Sequence, residues 1–126
     1  MFLMEEHMHI QFYRSSSGTN YVYEFIKKLP KKTVKKITRQ LELLEMYDVF
    51  HCCQAGLMKK LKGYDLYEIT INFNNIGFRI FCKLKREECC LLHIFVKKEK
   101  KTRTRHIKTA LQRATDWEKQ LALKLN

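Results

Sequence analysis

The run Cys89 to Val96 constrains this chain more than any other, because it is apolar on both strand faces and then gives way at once to cations. A strand of that kind lies inside a sheet, with helices covering at least one side. The next twelve residues, Lys97 to Lys108, contain seven Lys or Arg. A buried strand that opens into such a tract fixes positive charge at one edge of a folded core. Phosphate is the commonest partner for such an edge, since each phosphate neutralised releases condensed counterions. A solvated basic loop would have the same composition.

The whole chain decides how that edge is read. It carries 25 Lys and Arg against 13 Asp and Glu, a formal charge of +12, so it seeks polyanions: RNA, DNA or an acidic protein. Hydrophobic content of 45% with 12% aromatics excludes wholesale disorder. The length predicts one domain, residues 1–126, with a core over about 8–122 and residues 1–7 as an extension ahead of Met8. Cysteines occur as two adjacent pairs, Cys52-Cys53 and Cys89-Cys90, with Cys82 alone. No C-x-x-C occurs and the count is odd, which predicts reduced thiols rather than a zinc site or a disulfide framework. No run reaches the roughly 18 apolar residues of a membrane span, and the start has no signal-peptide pattern. A cytoplasmic protein with no membrane partner is expected.

Periodicity predicts the elements. His9 to Tyr13 alternates as a short strand, and Arg14 to Gly18 is a loop by composition. Val22, Phe25, Ile26 and Leu29 share one face of a helix over 19–29. Pro30 ends it and suits the first turn of a second helix over 31–48, with Val34, Ile37, Leu41 and Leu44 buried. The two make a helical hairpin, and His51 to Gly56 follows as a loop. Tyr67 to Phe73 alternates as a strand with one buried face. Asn74-Asn75-Ile76-Gly77 is turn chemistry. The next strand buries Phe78, Ile80, Cys82 and Leu84 and turns Arg79, Phe81 and Lys83 the other way. A last helix over about 105–122, with Thr104 as its cap, shows a stripe of Ile107, Ala110, Leu111, Ala114, Trp117 and Leu121. The expected fold class is α+β: a mainly antiparallel sheet of about four strands, an N-terminal helical hairpin and a C-terminal helix.

Three segments in this order then carry a resemblance: Leu57-Met58-Lys59-Lys60-Leu61-Lys62-Gly63-Tyr64-Asp65-Leu66-Tyr67-Glu68-Ile69, Gly77-Phe78-Arg79-Ile80-Phe81, and Leu91 to Lys98. With the lysine-rich tract and the last helix in register, the chain resembles the RelE/HigB toxins of bacterial toxin–antitoxin systems, in particular their phage-derived HigB-like branch. The resemblance covers roughly residues 8–118. It implies a microbial-ribonuclease-like fold and a ribosome-dependent mRNA endonuclease (an mRNA interferase) that inhibits translation, with no cofactor and no metal. It also implies as partners mRNA, the bacterial ribosome and a cognate antitoxin, often a helix-turn-helix protein, with operator DNA reached only through the antitoxin complex. The branch commonly reads K-K-T-x-K-T-P-x-x-E-I after its central strand, where this chain has Glu99 for the Thr, Arg103 for the Pro and His106 for the Glu. Thr70 stands where relatives carry a cation. These departures leave open a second reading, a non-catalytic RNA- or protein-binding module derived from such a toxin.

Cleavage of RNA by its own 2′-hydroxyl needs a proton acceptor, positive charge on the phosphorane and a donor for the departing 5′-oxygen. Fixed cations aimed at the developing charge are often the largest contribution. Arg79 is the first candidate, since its strand is buried on the other face and its planar fork fits a phosphate oxygen pair. It can equally pair with Glu68 on the neighbouring strand. His106, with Lys98 and Lys101, completes the expected catalytic set, His106 as a base kept neutral by the surrounding cations. Lys59, Lys60, Lys62, Lys97, Lys100 and Arg103 are expected to hold RNA phosphates. Phe81 stacks on a base or is covered by the last helix. His93, among apolar neighbours, reads as a core or edge-of-site histidine.

Overall fold

The computed structural model of the protein describes residues 7–98 and 103–125. Among these residues there are five strands: β1 His9–Phe12, β2 Met58–Lys60, β3 Tyr67–Phe73, β4 Ile76–Lys85 and β5 Glu88–Val96. They lie in the order β1-β5-β4-β3-β2, with β1 parallel to β5 and every other pair antiparallel. Among the same residues four helices accompany them: α1 Tyr21–Ile26, α2 Lys31–Glu45, α3 Val49–Gln54 and α4 Arg103–Leu125.

One core lies on each face of the sheet. Ile69 and Ile71 of β3, Phe78 and Ile80 of β4 and Leu91 and Ile94 of β5 meet the first three helices through Val22, Ile37, Leu44 and Cys52. On the opposite face Phe81, Leu92 and Phe95 pack under Ile107, Ala110, Ala114 and Trp117 of α4, with Leu61 and Leu66 closing one end. A strand covered on both faces has to be apolar on both, and so β5 was legible from its composition alone.

The opening strand stands where it was expected, but the sheet of about four strands behind an N-terminal hairpin needs correcting in two places. A third helix separates the hairpin segment from the sheet, and Met58–Lys60 adds a fifth, edge strand. Each missed element is three to six residues long, too short to show a period. The residues expected as a loop at His51 to Gly56 mostly belong to α3, which Asp48 caps by accepting from the His51 backbone N–H at 2.8 Å. Helix α1 is also shorter than 19–29. Lys28 and Leu29 turn back onto Phe25 and Ile26 instead of continuing it, and Pro30 sits just before α2 with ψ 148°. In α2 the fully buried stripe begins at Thr33, and Val34 is half-buried.

The turn read at Asn74-Asn75 is a two-residue hairpin loop, with φ of 54° and 64° and Phe73 opposite Ile76. Asparagine tolerates that left-handed region better than most residues. Between Phe81 and Cys82 the register with β5 slips, leaving Leu92 without a direct partner. This β-bulge turns Leu92 and His93 toward the same face, that of α4. Bulges of this kind re-aim side chains beside functional sites.

Candidate functional site

Cross-strand register places two rows of side chains on the α4 face. Lys59, Glu68, Phe81 and His93 stand opposite one another across β2, β3, β4 and β5, and Thr70, Arg79 and Phe95 form the next row. Helix α4 covers the first row at Phe81 and ends its cover near Phe95. Beyond that point the face is open, and a cleft of about 460 Å³ lies there. Lys59, Glu68, Thr70, Arg79, Phe95, Lys97 and Arg103 line it, with Cys53, Gly56 and Met58 from the β2 edge. Among the described residues four cations and one carboxylate line the cleft, a net charge of +3. The positive end of the α4 dipole starts at Arg103 and adds to that potential.

Glu68 organises the cations. It is 3% exposed, and its two oxygens take different partners: Arg79 Nε at 3.0 Å and Arg103 Nη2 at 2.9 Å. A buried carboxylate is costly unless its lone pairs are satisfied, and here two guanidinium groups satisfy them. Each arginine spends one N–H on Glu68. The guanidinium has five N–H donors, so both arginines keep others for an anion in the cleft. Gly77, one register step beyond Arg79, leaves room for its side chain: a Cβ there would lie 3.3 Å from Arg79 Nη1 and 3.2 Å from Asn72 Oδ1. That close approach gives the glycine of the Gly77-Phe78-Arg79 segment a physical role. Gly63, with φ of 87°, serves the turn where the Leu61 N–H donates to the Leu66 carbonyl.

The structure brings Arg79, Lys59, Lys97 and Arg103 of the expected residues to this one cleft. Lys60 and Lys62 are exposed outside its lining, and Lys60 Nζ donates to the Tyr64 carbonyl at 2.8 Å. Lys98 is exposed just past β5, while Lys100 and Lys101 lie outside the described residues. Phe81 is fully buried against Phe95 beneath α4, with ring centroids 5.1 Å apart. Of its two readings, the helix-covered one is therefore correct, and base stacking on Phe81 is set aside. Phe95, at the cleft wall, is the aromatic that the sequence reading passed over.

His106 is half-buried and lies flat on Phe95, 3.9 Å between centroids. Its Nδ1 is 2.7 Å from Nε2 of His93. Burial, then Arg113, His106 and Arg105, push the His93 imidazole down to about 4, and burial and Arg105 also lower His106. Arg113, two helical turns after His106 on the same face of α4, closes the group against His93 and the Tyr21 ring. That seven-residue spacing was visible in the sequence, but the histidine partner on another element was not. All five cysteines are free thiols, four of them buried.

A family model described as Phage derived protein Gp49-like (DUF891) matches residues 24–115, from within α1 into α4. No curated protein matches the chain.

Proposed function

The chain belongs to the Gp49-like phage-derived family, which is of RelE/HigB-like toxin type, and on that premise we propose that it is the toxin of a toxin–antitoxin system, a ribosome-dependent endoribonuclease that cuts mRNA. The observation that carries the reading is the pair of arginines held on buried Glu68 inside an open cationic cleft. In the proposed reaction the RNA 2′-hydroxyl gives its proton to water in the open cleft and attacks the adjacent phosphate to form a 2′,3′-cyclic phosphate, while the bond to the 5′-oxygen breaks and that oxygen takes a proton from water. Arg79 and Arg103 donate to the non-bridging oxygens of the phosphorane, where oriented donors count most. Lys59 and Lys97, at opposite ends of the lining, hold flanking phosphates. Lys98 and Lys101 remain proposed as further cations for the developing charge, and Lys60, Lys62 and Lys100 as peripheral phosphate contacts. The microbial-ribonuclease-like arrangement, a sheet face offering cations to RNA, is part of this proposal.

A family of toxin type implies an antitoxin partner in general. We propose a helix-turn-helix protein in that role, with operator DNA contacted through the complex, and mRNA on the ribosome as substrate in the cytoplasm. One observation favours a second reading: Glu68 already occupies both arginines, as in a cleft that binds RNA without cutting it. Salt-sensitive binding is expected of either, so affinity does not separate them. Turnover does. Expression without an antitoxin should arrest growth with transcripts cut inside translated regions; harmless accumulation of folded protein would favour the binding module.

A further inference from the structure

Neither histidine is part of the cleft lining, but His106 lies flat on Phe95 of its wall, and the two rings form a directed chain whose polarity is set by an arginine. Arg113 Nη1 donates to the Leu92 carbonyl at 2.8 Å and lies 3.3 Å from His93 Nδ1. A guanidinium can only donate, so His93 Nδ1 accepts. A neutral His93 then carries its hydrogen on Nε2, which points at His106 Nδ1, 2.7 Å away. His106 Nδ1 must accept in turn, which leaves the His106 hydrogen on its own Nε2. Among the described residues no protein group takes that atom, and no buried side-chain nitrogen or oxygen lacks a partner, so Nε2 opens to solvent.

Protonating this chain meets resistance at every position. A proton added at His106 Nδ1 would confront the His93 Nε2–H. Turning His93 to its other tautomer would confront Arg113. Burial among Arg105 and Arg113 favours the neutral state of both rings, in agreement with the lowered affinity of each for a proton. Tyr21, under the Arg113 guanidinium at 3.9 Å, and Phe95, under His106, hold the two ends in place without offering a competing acceptor.

We infer that His106 serves the cleft as a neutral N–H donor to a phosphate oxygen, and that Arg113 is a positioning residue that fixes this tautomer through His93. The expectation of His106 as a general base gives way, because the solvent-facing nitrogen already bears its hydrogen. No proton changes hands; the phosphorane oxygen accepts a hydrogen bond that strengthens as its charge develops. A phosphate ligand rests on the reading of the cleft given above, whereas the tautomer does not.

The test is the two-bond proton–nitrogen correlation spectrum of the full chain near neutral pH, with inorganic phosphate as probe. Both His93 and His106 should show a lone-pair-bearing Nδ1 and a hydrogen-bearing Nε2, and phosphate should shift the His106 Nε2 signal. Arg113→Lys, still a pure donor, should keep the pattern. Arg113→Gln, which can also accept, should populate the other tautomer in both rings. A hydrogen on His106 Nδ1 in the wild-type chain overturns the inference, and that spectrum decides the matter even if a variant fails to fold. An unchanged Arg113→Gln spectrum overturns the role of Arg113, and a His106 signal indifferent to phosphate overturns the donor role. Cleavage of mRNA is read separately, so failure of the nuclease reading leaves these signals as they are.

Discussion

Arg79 is set in place by Glu68 before any substrate arrives, and this makes its removal a test of two effects at once. Losing one oriented donor to a developing charge costs about 10²–10³ in rate, so Arg79→Ala should lower cleavage by that factor, and Arg79→Lys should fall between. The ion pair is nearly buried, with side-chain exposures of 15% and 4%. Breaking it should also cost about 1–2 kcal/mol in urea denaturation, less than for an isolated buried pair because Arg103 still holds Glu68. Gly77→Ala separates the effects, since it crowds Arg79 Nη1 while leaving the ion-pair chemistry intact. We expect it to reduce cleavage several-fold with a stability change under about 1 kcal/mol; full activity would show that the seat of Arg79 is not critical. His93 adds a pH dependence. Its folded pKa, about 4, lies below the ordinary 6.5, so the stability it contributes is complete above about 6.5 and is lost as pH falls toward 4. The contribution should be on the order of 1–2 kcal/mol, because solvent reaches part of the ring. Urea midpoints at pH 7 and 4.5, compared between wild type and His93→Asn, measure it. At this scale the placement of Arg79 and its pairing with Glu68 were legible, because alternation around Phe78 and Ile80 puts Arg79 on the polar face. The reach of Arg103 to Glu68, across 35 positions of chain, was not.

Helix α4 determines where the site lies by covering one end of the sheet face and leaving the other open. Trp117 anchors the covered end at 3% exposure, whereas Leu123, at 74%, touches little. Trp117→Ala should therefore destabilise the fold by about 3–5 kcal/mol, with Leu123→Ala within about 0.5 kcal/mol of wild type. Equal effects in thermal or urea unfolding would contradict the placement of the second core. Long periodic elements such as α2, α4, β3 and β4 could be read from the sequence, because each repeats its pattern over several turns or pleats, and β5 from being apolar on both faces. The short elements β2 and α3 could not. Met58-Lys59-Lys60 is an edge strand specified by pairing with β3, and α3 is specified by its Asp48 cap and by burial of Cys52. The parallel pairing of β1 with β5 joins residues almost eighty positions apart and leaves no local signature. The same holds for the bulge at Leu92, which arises from packing on both faces of β5.

The whole molecule brings its charge of +12 to a phosphate-rich partner. Affinity for RNA should fall steeply with salt under any reading of the cleft. Lys59→Ala and Lys97→Ala should each lower the slope of log affinity against log salt by roughly 0.7, the value for one phosphate contact on a single strand. Lys62→Ala, outside the lining, should change it less. The charge was legible at once; the convergence of Lys59, Arg79, Lys97 and Arg103 on one cleft needed the sheet register and the starting point of α4. The central claim is that this cleft cuts mRNA on the ribosome. The most direct measurement maps the ends of a defined message incubated with purified protein, with and without translating ribosomes, beside Arg79→Ala. New ends inside the translated region, dependent on ribosomes and lost in the variant, are the predicted result. An uncut message with folded, RNA-binding wild-type protein, or cleavage that Arg79→Ala leaves unchanged, would contradict it.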